Sequence, residues 1–159
     1  LIQQEDILIR PAVLDDLDVL VPLFDAYRVF YKRDSDEAAC RAFLRNRMER
    51  RESHILLAFR GNRAVGFTQL YPSFSSASIA RVFILNDLFV VPEKRRAGVG
   101  ARLLQAAAEL GRANGAIRLN LSTAVDNHAA QAAYEKAGWR RTTDYCEYQL
   151  KLDCADPYR

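Results

Sequence analysis

Apolar and polar positions along the chain change period several times, and each change marks an element. The run ILIRPA at 7–12 alternates and predicts a first strand stopped by Pro11. Leu17, Leu20, Phe24, Tyr27 and Tyr31 then recur at helical spacing behind Asp15 and Asp16, which are candidate caps. Pro22 inside that stripe predicts a kink or a later helix start. A second, charged helix is expected across 35–52, with Ser35 as its cap. The run SHILLAFRGNRAVGFTQLYPSF at 53–74 places two β-rich segments around Gly61-Asn62 and reads as a hairpin. A long strand, ARVFILNDLFVVP, follows and ends at Pro92. A helix over about 98–114 carries the stripe Val99, Leu103, Ala106/Ala107 and Leu110, with Gly115 as its C-terminal glycine. The remaining pattern predicts a strand at 116–124, a short helix closed by Gly138, and a last strand, YCEYQLKL, at 145–152. The order β-α-α-β-β-β-α-β-α-β defines a mixed α/β layer protein.

Composition narrows this picture. The chain has 159 residues, half of them hydrophobic, which fits one domain over 1–159 with a single sizeable core. Its 23 basic and 20 acidic residues nearly balance, so nucleic acid is not expected as a partner. The arginines at 41, 45, 47, 50 and 51 alternate with Glu49 and Glu52, as on a solvated helix face. Cys40, Cys146 and Cys154 have no CxxC spacing, and only His54 and His128 could join them, so no metal site is expected. The cysteines read as reduced thiols of a cytoplasmic protein. No apolar run approaches the ~20 residues that span a membrane, and the N-terminal segment lacks the pattern of a signal peptide.

The segment VVPEKRRAGVGARLL at 90–104 carries the chemistry. A glycine-bearing turn between a strand and a helix N-terminus presents backbone N–H groups to an anion. A Walker loop would require Lys-Ser/Thr after its second glycine, and a dinucleotide fingerprint a third glycine; both are missing here. What stands is Arg95-x-x-Gly98-x-Gly100. This resembles the acetyl-CoA signature of the GNAT superfamily, the Gcn5-related N-acetyltransferases. The run DNHAAQAAYEKAGW at 126–139 resembles that family's second signature.

The resemblance implies a GNAT fold, a mostly antiparallel central sheet of about six to seven strands flanked by about four helices. It also implies acetyl-CoA as co-substrate and a primary amine as acceptor. Carried over by position, Arg95, Arg96, Ala97, Gly98, Val99, Gly100 and Ala101 would bind the CoA pyrophosphate. Leu88, Phe89 and Val90 would pair with the pantetheine arm along a bulged strand, and Asn127 would contact that arm. Tyr134 would protonate the leaving thiolate.

The segment ILNDLFVVPE at 84–93 is similar to the corresponding strand of spermidine/spermine acetyltransferases and of a histone-acetyltransferase-related branch. The glutamate that serves as base in the polyamine enzymes aligns with Asn86, which cannot take a proton. Asp87 is the remaining acid. It is either a sheet-stabilising buried carboxylate or the base, and Asn86 is a candidate to orient a water or the amine. Period 2 places these two residues on opposite faces. The family's usual acceptor site points to Tyr27, Tyr31, Tyr71 and Phe74 as walls, with Phe30 beside them and Asp25 or Asp34 to attract a cation. The acceptor is expected to be a small-molecule amine such as an amino acid or polyamine; a protein amine, or acyl-CoA binding without turnover, are the alternatives. Dimers are common in the family, so a homodimer is expected.

Overall fold

A computed structural model describes residues 6–153 of the chain. These fall into two compact units that divide between Ser122 and Thr123.

The first unit is built on a five-stranded sheet. Its strands are β1 (Ile7–Pro11), β2 (His54–Arg60), β3 (Arg63–Ser75), β4 (Ala80–Val90) and β5 (Leu119–Asn120), in that spatial order. All neighbours are antiparallel except β4 and β5, so the sheet is mixed. The helices of this unit are α1 (Leu17–Phe30), α2 (Glu37–Glu49) and α3 (Val99–Ala113).

β2 shows how the layers form. Ile55, Leu57 and Phe59 join a buried cluster with Leu17, Leu20, Val21 and Phe24 of α1 and Cys40 and Leu44 of α2. Leu56 and Ala58, half a period away, join Val99 and Leu103 of α3. Both faces of the strand are therefore covered, as its unbroken apolar run requires. The helices comply by spacing: Leu17, Leu20, Val21 and Phe24 lie at i, i+3, i+4 and i+7. α1 runs unbroken through Pro22, which lies on its exposed side, so the carbonyl left without its helical donor faces solvent.

The caps differ in detail from expectation. Asp16 closes a 3-10 turn by accepting from the Val13 N–H at 2.8 Å and is bridged by both Arg10 nitrogens at 2.7 Å. Asp36, not Ser35, caps α2 by accepting from the Ala39 N–H. Ser35 instead donates to Asp25 at 2.6 Å, and the Asp36 N–H donates to the same carboxylate at 2.8 Å. With Cys40 and Arg28 also facing it, Asp25 ties the α1–α2 connection down. Burial opposes its charge, but these partners hold its carboxyl below the ordinary range.

The Gly61-Asn62 hairpin forms as expected, with Gly61 at φ 57°. β3 then carries one extra residue, Val65, between the pairs Ala58–Gly66 and Phe59–Ala64. Gly66 is needed there: a Cβ would stand 2.6 Å from the Phe89 carbonyl oxygen.

The second unit holds α4 (His128–Lys136), closed by Gly138 at φ 88°. The strand count is a correction. The described residues contain five strands, not six to seven. Only Leu119–Asn120 of the 116–124 run pairs, and 145–152 form no strand. An alternating pattern selects which face is apolar, but a strand forms only where a neighbour completes its hydrogen bonds. Cys154, one of the three cysteines, lies outside the described residues.

Candidate active site

The turn between β4 and α3 is built to leave backbone donors free. Val91 leads into a 3-10 turn at Pro92–Lys94, and α3 starts after Gly98 at φ 81°. The first N–H groups of a helix have no intrahelical acceptor. Apart from the chain neighbours and the helix's own backbone, nothing lies closer than 4.0 Å to where a Cβ at Gly98 or Gly100 would stand. Arg96 adopts φ 57°, the left-handed region that glycine favours.

Two arginines brace the turn through carbonyl oxygens. Arg95 donates through Nε to the Val90 carbonyl at 2.9 Å, and its guanidinium lies 5.5 Å from the Phe30 ring centre and 5.7 Å from that of Phe89. Arg60, at the end of β2, donates to the Ala97 carbonyl at 3.0 Å. Arg60 was not legible as a site residue, because an arginine ending a strand is ordinary. An open cleft of about 460 Å³ runs beside this turn between α1 and the end of β4, lined by Pro22, Ala26, Phe30, Phe89, Pro92 and Arg95 among others. The chain therefore offers backbone donors, positive charge and an apolar wall in one place, which suits an anionic group on an apolar arm.

The second feature is a bulge in β4. Gln69 pairs with Asp87 but Leu70 pairs with Leu85, so Asn86 is an extra residue. The bulge overturns the expectation that Asn86 and Asp87 face opposite ways. Asn86 is exposed and Asp87 is 2% exposed, yet Asn86 Nδ2 donates to Asp87 Oδ1 at 2.9 Å. Gln69 Nε2 donates to the other oxygen, Oδ2, at 2.5 Å. Thr68 Oγ1 donates to the Asp87 backbone carbonyl at 2.8 Å.

Burial pushes the Asp87 carboxyl above its ordinary range, against hydrogen bonds from Gln69, Tyr27 and Asn86 that favour the anion. Tyr27 reaches across from α1 and donates to the Asn86 carbonyl at 3.4 Å. Its phenol is held far above the ordinary value, first by burial and then by the Asp87 charge, so it remains a donor. Gln69 escaped sequence reading; its signal is the polar pair Thr68-Gln69 inside an apolar strand.

The other expected residues divide. Tyr31 lies beside Tyr27 with ring centres 4.9 Å apart and planes tilted by 60°, and Tyr71 is close enough to influence the same phenol. Phe74 stands near the β3–β4 turn, 71% exposed, with Arg81 5.1 Å from its ring centre. Asp25 is consumed by its partners in the α1–α2 connection. Leu88 and Val90 pack against the α3 side, while Phe89 belongs to the α1 side.

In the second unit, Asn127 caps α4 by accepting from the Ala130 N–H at 3.3 Å, and the Tyr134 and Trp139 ring centres lie 6.2 Å apart. Among the described residues no group of three or more His, Cys, Asp and Glu could hold a metal, and no helix is long and apolar enough to cross a membrane.

A strand bulged beside a buried acid thus leads into a glycine turn and a helix. The acetyltransferase (GNAT) family model matches residues 20–139, and the chain belongs to that family. It is 46% identical over 144 residues to the uncharacterized N-acetyltransferase YhfO of Bacillus subtilis (strain 168), covering 91% of this chain and 97% of that protein. It is 28% identical over 131 residues to a thialysine N-epsilon-acetyltransferase of Caenorhabditis elegans, covering 82% and 78%. A crystal structure of a probable acetyltransferase superposes with a TM-score of 0.87 at 45% identity, covering 93% and 99%. Members of this family use acetyl-CoA generally.

Proposed function

We propose that the protein transfers acetyl from acetyl-CoA to a primary amine of a small molecule, by direct attack within a ternary complex. The observation that carries this reading is the β4 bulge, which brings Asn86 onto a buried, elevated Asp87 on the strand that feeds the glycine turn. The family match runs through both units, which supports one functional domain over 1–159.

The turn at Arg95, Arg96, Ala97, Gly98, Val99, Gly100 and Ala101 takes the pyrophosphate on its amides. Leu88, Phe89 and Val90 offer backbone to the pantetheine arm, and Asn127 is a further contact to that arm. An alkyl ammonium of pKa near ~10 must lose a proton before it attacks. Asp87 takes it, with Asn86 orienting the incoming amine or a water. The neutral amine attacks the thioester carbon, the C–S bond breaks, and the Tyr134 hydroxyl protonates the departing thiolate. Tyr27, Tyr31 and Tyr71 wall the acceptor. The thialysine-acetylating relative supports an acceptor whose amine ends a slim chain, as in amino acids and polyamines.

The test is thermal unfolding with and without acetyl-CoA, followed by thiol release against a panel of amines. At ~100 times its dissociation constant, acetyl-CoA should add about 2.7 kcal/mol of stability. A shift with release on a small amine supports the proposal. A shift with release only on protein or peptide amines moves the acceptor to a protein. A shift without release from any amine leaves an acyl-CoA-binding module, and no shift removes the turn from cofactor binding. Tyr134→Phe is expected to slow release about 10²-fold at saturating substrates. Unchanged turnover across the pH range would remove Tyr134 from the acid role.

A further inference from the structure

The two oxygens of Asp87 are not equivalent. Oδ1 faces Asn86, whose side chain is exposed, so a molecule from solvent reaches it by displacing that carboxamide. Oδ2 faces Gln69, which is 0% exposed and lies across the strand pair in β3. Gln69 spends its nitrogen on Oδ2, while its own Oε1 is buried with no partner. A buried polar atom left unsatisfied requires an explanation.

Hydrogen-bond counting supplies it. In the observed orientation the carboxamide leaves one acceptor unpaired. Turned over, it would point Oε1 at the carboxylate and leave both N–H donors without their acceptor, which is worse on either count. The orientation therefore holds whether Asp87 is ionised or neutral. A proton on Oδ2 would find no acceptor in Gln69, whose Oε1 points away, whereas the exposed Asn86 carboxamide can turn its oxygen toward a proton on Oδ1; the proton on Asp87 is therefore placed at Oδ1.

We infer that Gln69 is a positioning residue that reserves the inner oxygen of Asp87 and so confines the transferred proton to the outer oxygen, beside Asn86. This rests on the reading of Asp87 as the base. The substrate ammonium displaces the Asn86 carboxamide from Oδ1. Its N–H bond breaks and leaves the electron pair on nitrogen, while an O–H bond forms at Oδ1. Nothing is oxidised, and the proton leaves to solvent by the same exposed side once the product has gone. The other groups facing the site are Tyr27 from α1, with Tyr31 and Tyr71 around its phenol. Among the described residues, none of the ion pairs involves Asp87.

The test is the pH dependence of kcat/KM for an accepted amine in Gln69→Leu, Gln69→Glu and Asp87→Asn, with thermal melts alongside. Gln69→Leu removes the donor that favours the anion, so the ascending limb should move up by about one pH unit. The KM for acetyl-CoA should stay unchanged. Gln69→Glu places a second carboxyl against Oδ2, and a shared proton should move the limb further in the same direction. It keeps a polar side chain of the same shape should the leucine variant fail to fold. A uniform fall in kcat at every pH, with the limb where it is in wild type, overturns the inference for Gln69 even if Asp87→Asn is inactive. Wild-type activity and limb in Asp87→Asn instead overturn Asp87 as base, and the inference with it.

Discussion

Asp87→Asn is expected to lose between about 10²- and 10⁴-fold in acetyl transfer, the range for removing a general base, while unfolding at a higher temperature than wild type. The two effects share one cause. Asp87 is 2% exposed, without an ion-pair partner among the described residues, and burial pushes its carboxyl upward. An anion there is held by neutral donors alone, which leaves part of its desolvation cost uncompensated. Asparagine has the same shape. Its oxygen keeps the Gln69 hydrogen bond, and its nitrogen faces Asn86, whose exposed carboxamide turns to present an oxygen. The gain should be about 1 kcal/mol at neutral pH.

The sign with pH follows from linkage. A carboxyl raised in the folded state binds its proton more tightly there than in the unfolded chain, so it costs stability as pH rises from the unfolded value through the folded one. The stability advantage of Asp87→Asn should therefore be full above the raised folded-state value and fade as the pH falls through it toward the unfolded one. Melts at a series of pH values check this. A variant that melts below wild type at neutral pH would show that the charge is fully compensated.

Gly66→Ala is expected to destabilise the fold by about 1–3 kcal/mol and to abolish most of the acetyl-CoA-dependent thermal shift. The added methyl would stand 2.6 Å from the Phe89 carbonyl oxygen and 3.3 Å from Val90 Cγ2. The first contact is backbone and yields only if β4 moves. That displacement falls on Phe89 and Val90, and Val90 also carries the carbonyl that fixes Arg95. One methyl in β3 thus disturbs both the strand and the turn assigned to the cofactor. The cofactor shift, compared at matched distance below each variant's own melting temperature, separates this from simple loss of stability. A full shift in a destabilised variant would detach cofactor binding from the position of β4.

The readable parts of this fold were those with local signals. Gly61, Gly98, Gly115 and Gly138 all take positive φ and lie at a hairpin, a helix start and two helix ends, where the sequence pattern placed them. The strand–turn–helix was readable for the same reason, since spacing alone excluded other phosphate loops. The bulge at Asn86 was not readable by period, because an extra residue exists only relative to a partner strand. That single residue reverses the relation between Asn86 and Asp87, the central pair of the candidate site. Arg60 and Gln69 were missed because their importance lies in what they touch, a carbonyl in a distant turn and a carboxylate across a sheet. The expected strand at 145–152 had the right alternation and no neighbour among the described residues.

The unbroken apolar run of β2 has a further consequence for how the chain finds its alignment. In most strands a slip of one residue turns polar groups inward and is rejected on solvation alone. Here a slip would exchange Ile55, Leu57 and Phe59 for Leu56 and Ala58, leaving apolar groups on both sides. Water cannot discriminate between the two alignments; shape must. Only Gly66 fits beneath the Phe89 carbonyl, and only the extra Val65 brings it there in step with Ala58. In this sheet proofreading is steric, and it is carried by the same close contact of β3 with β4 on which the strand bearing Asp87 rests.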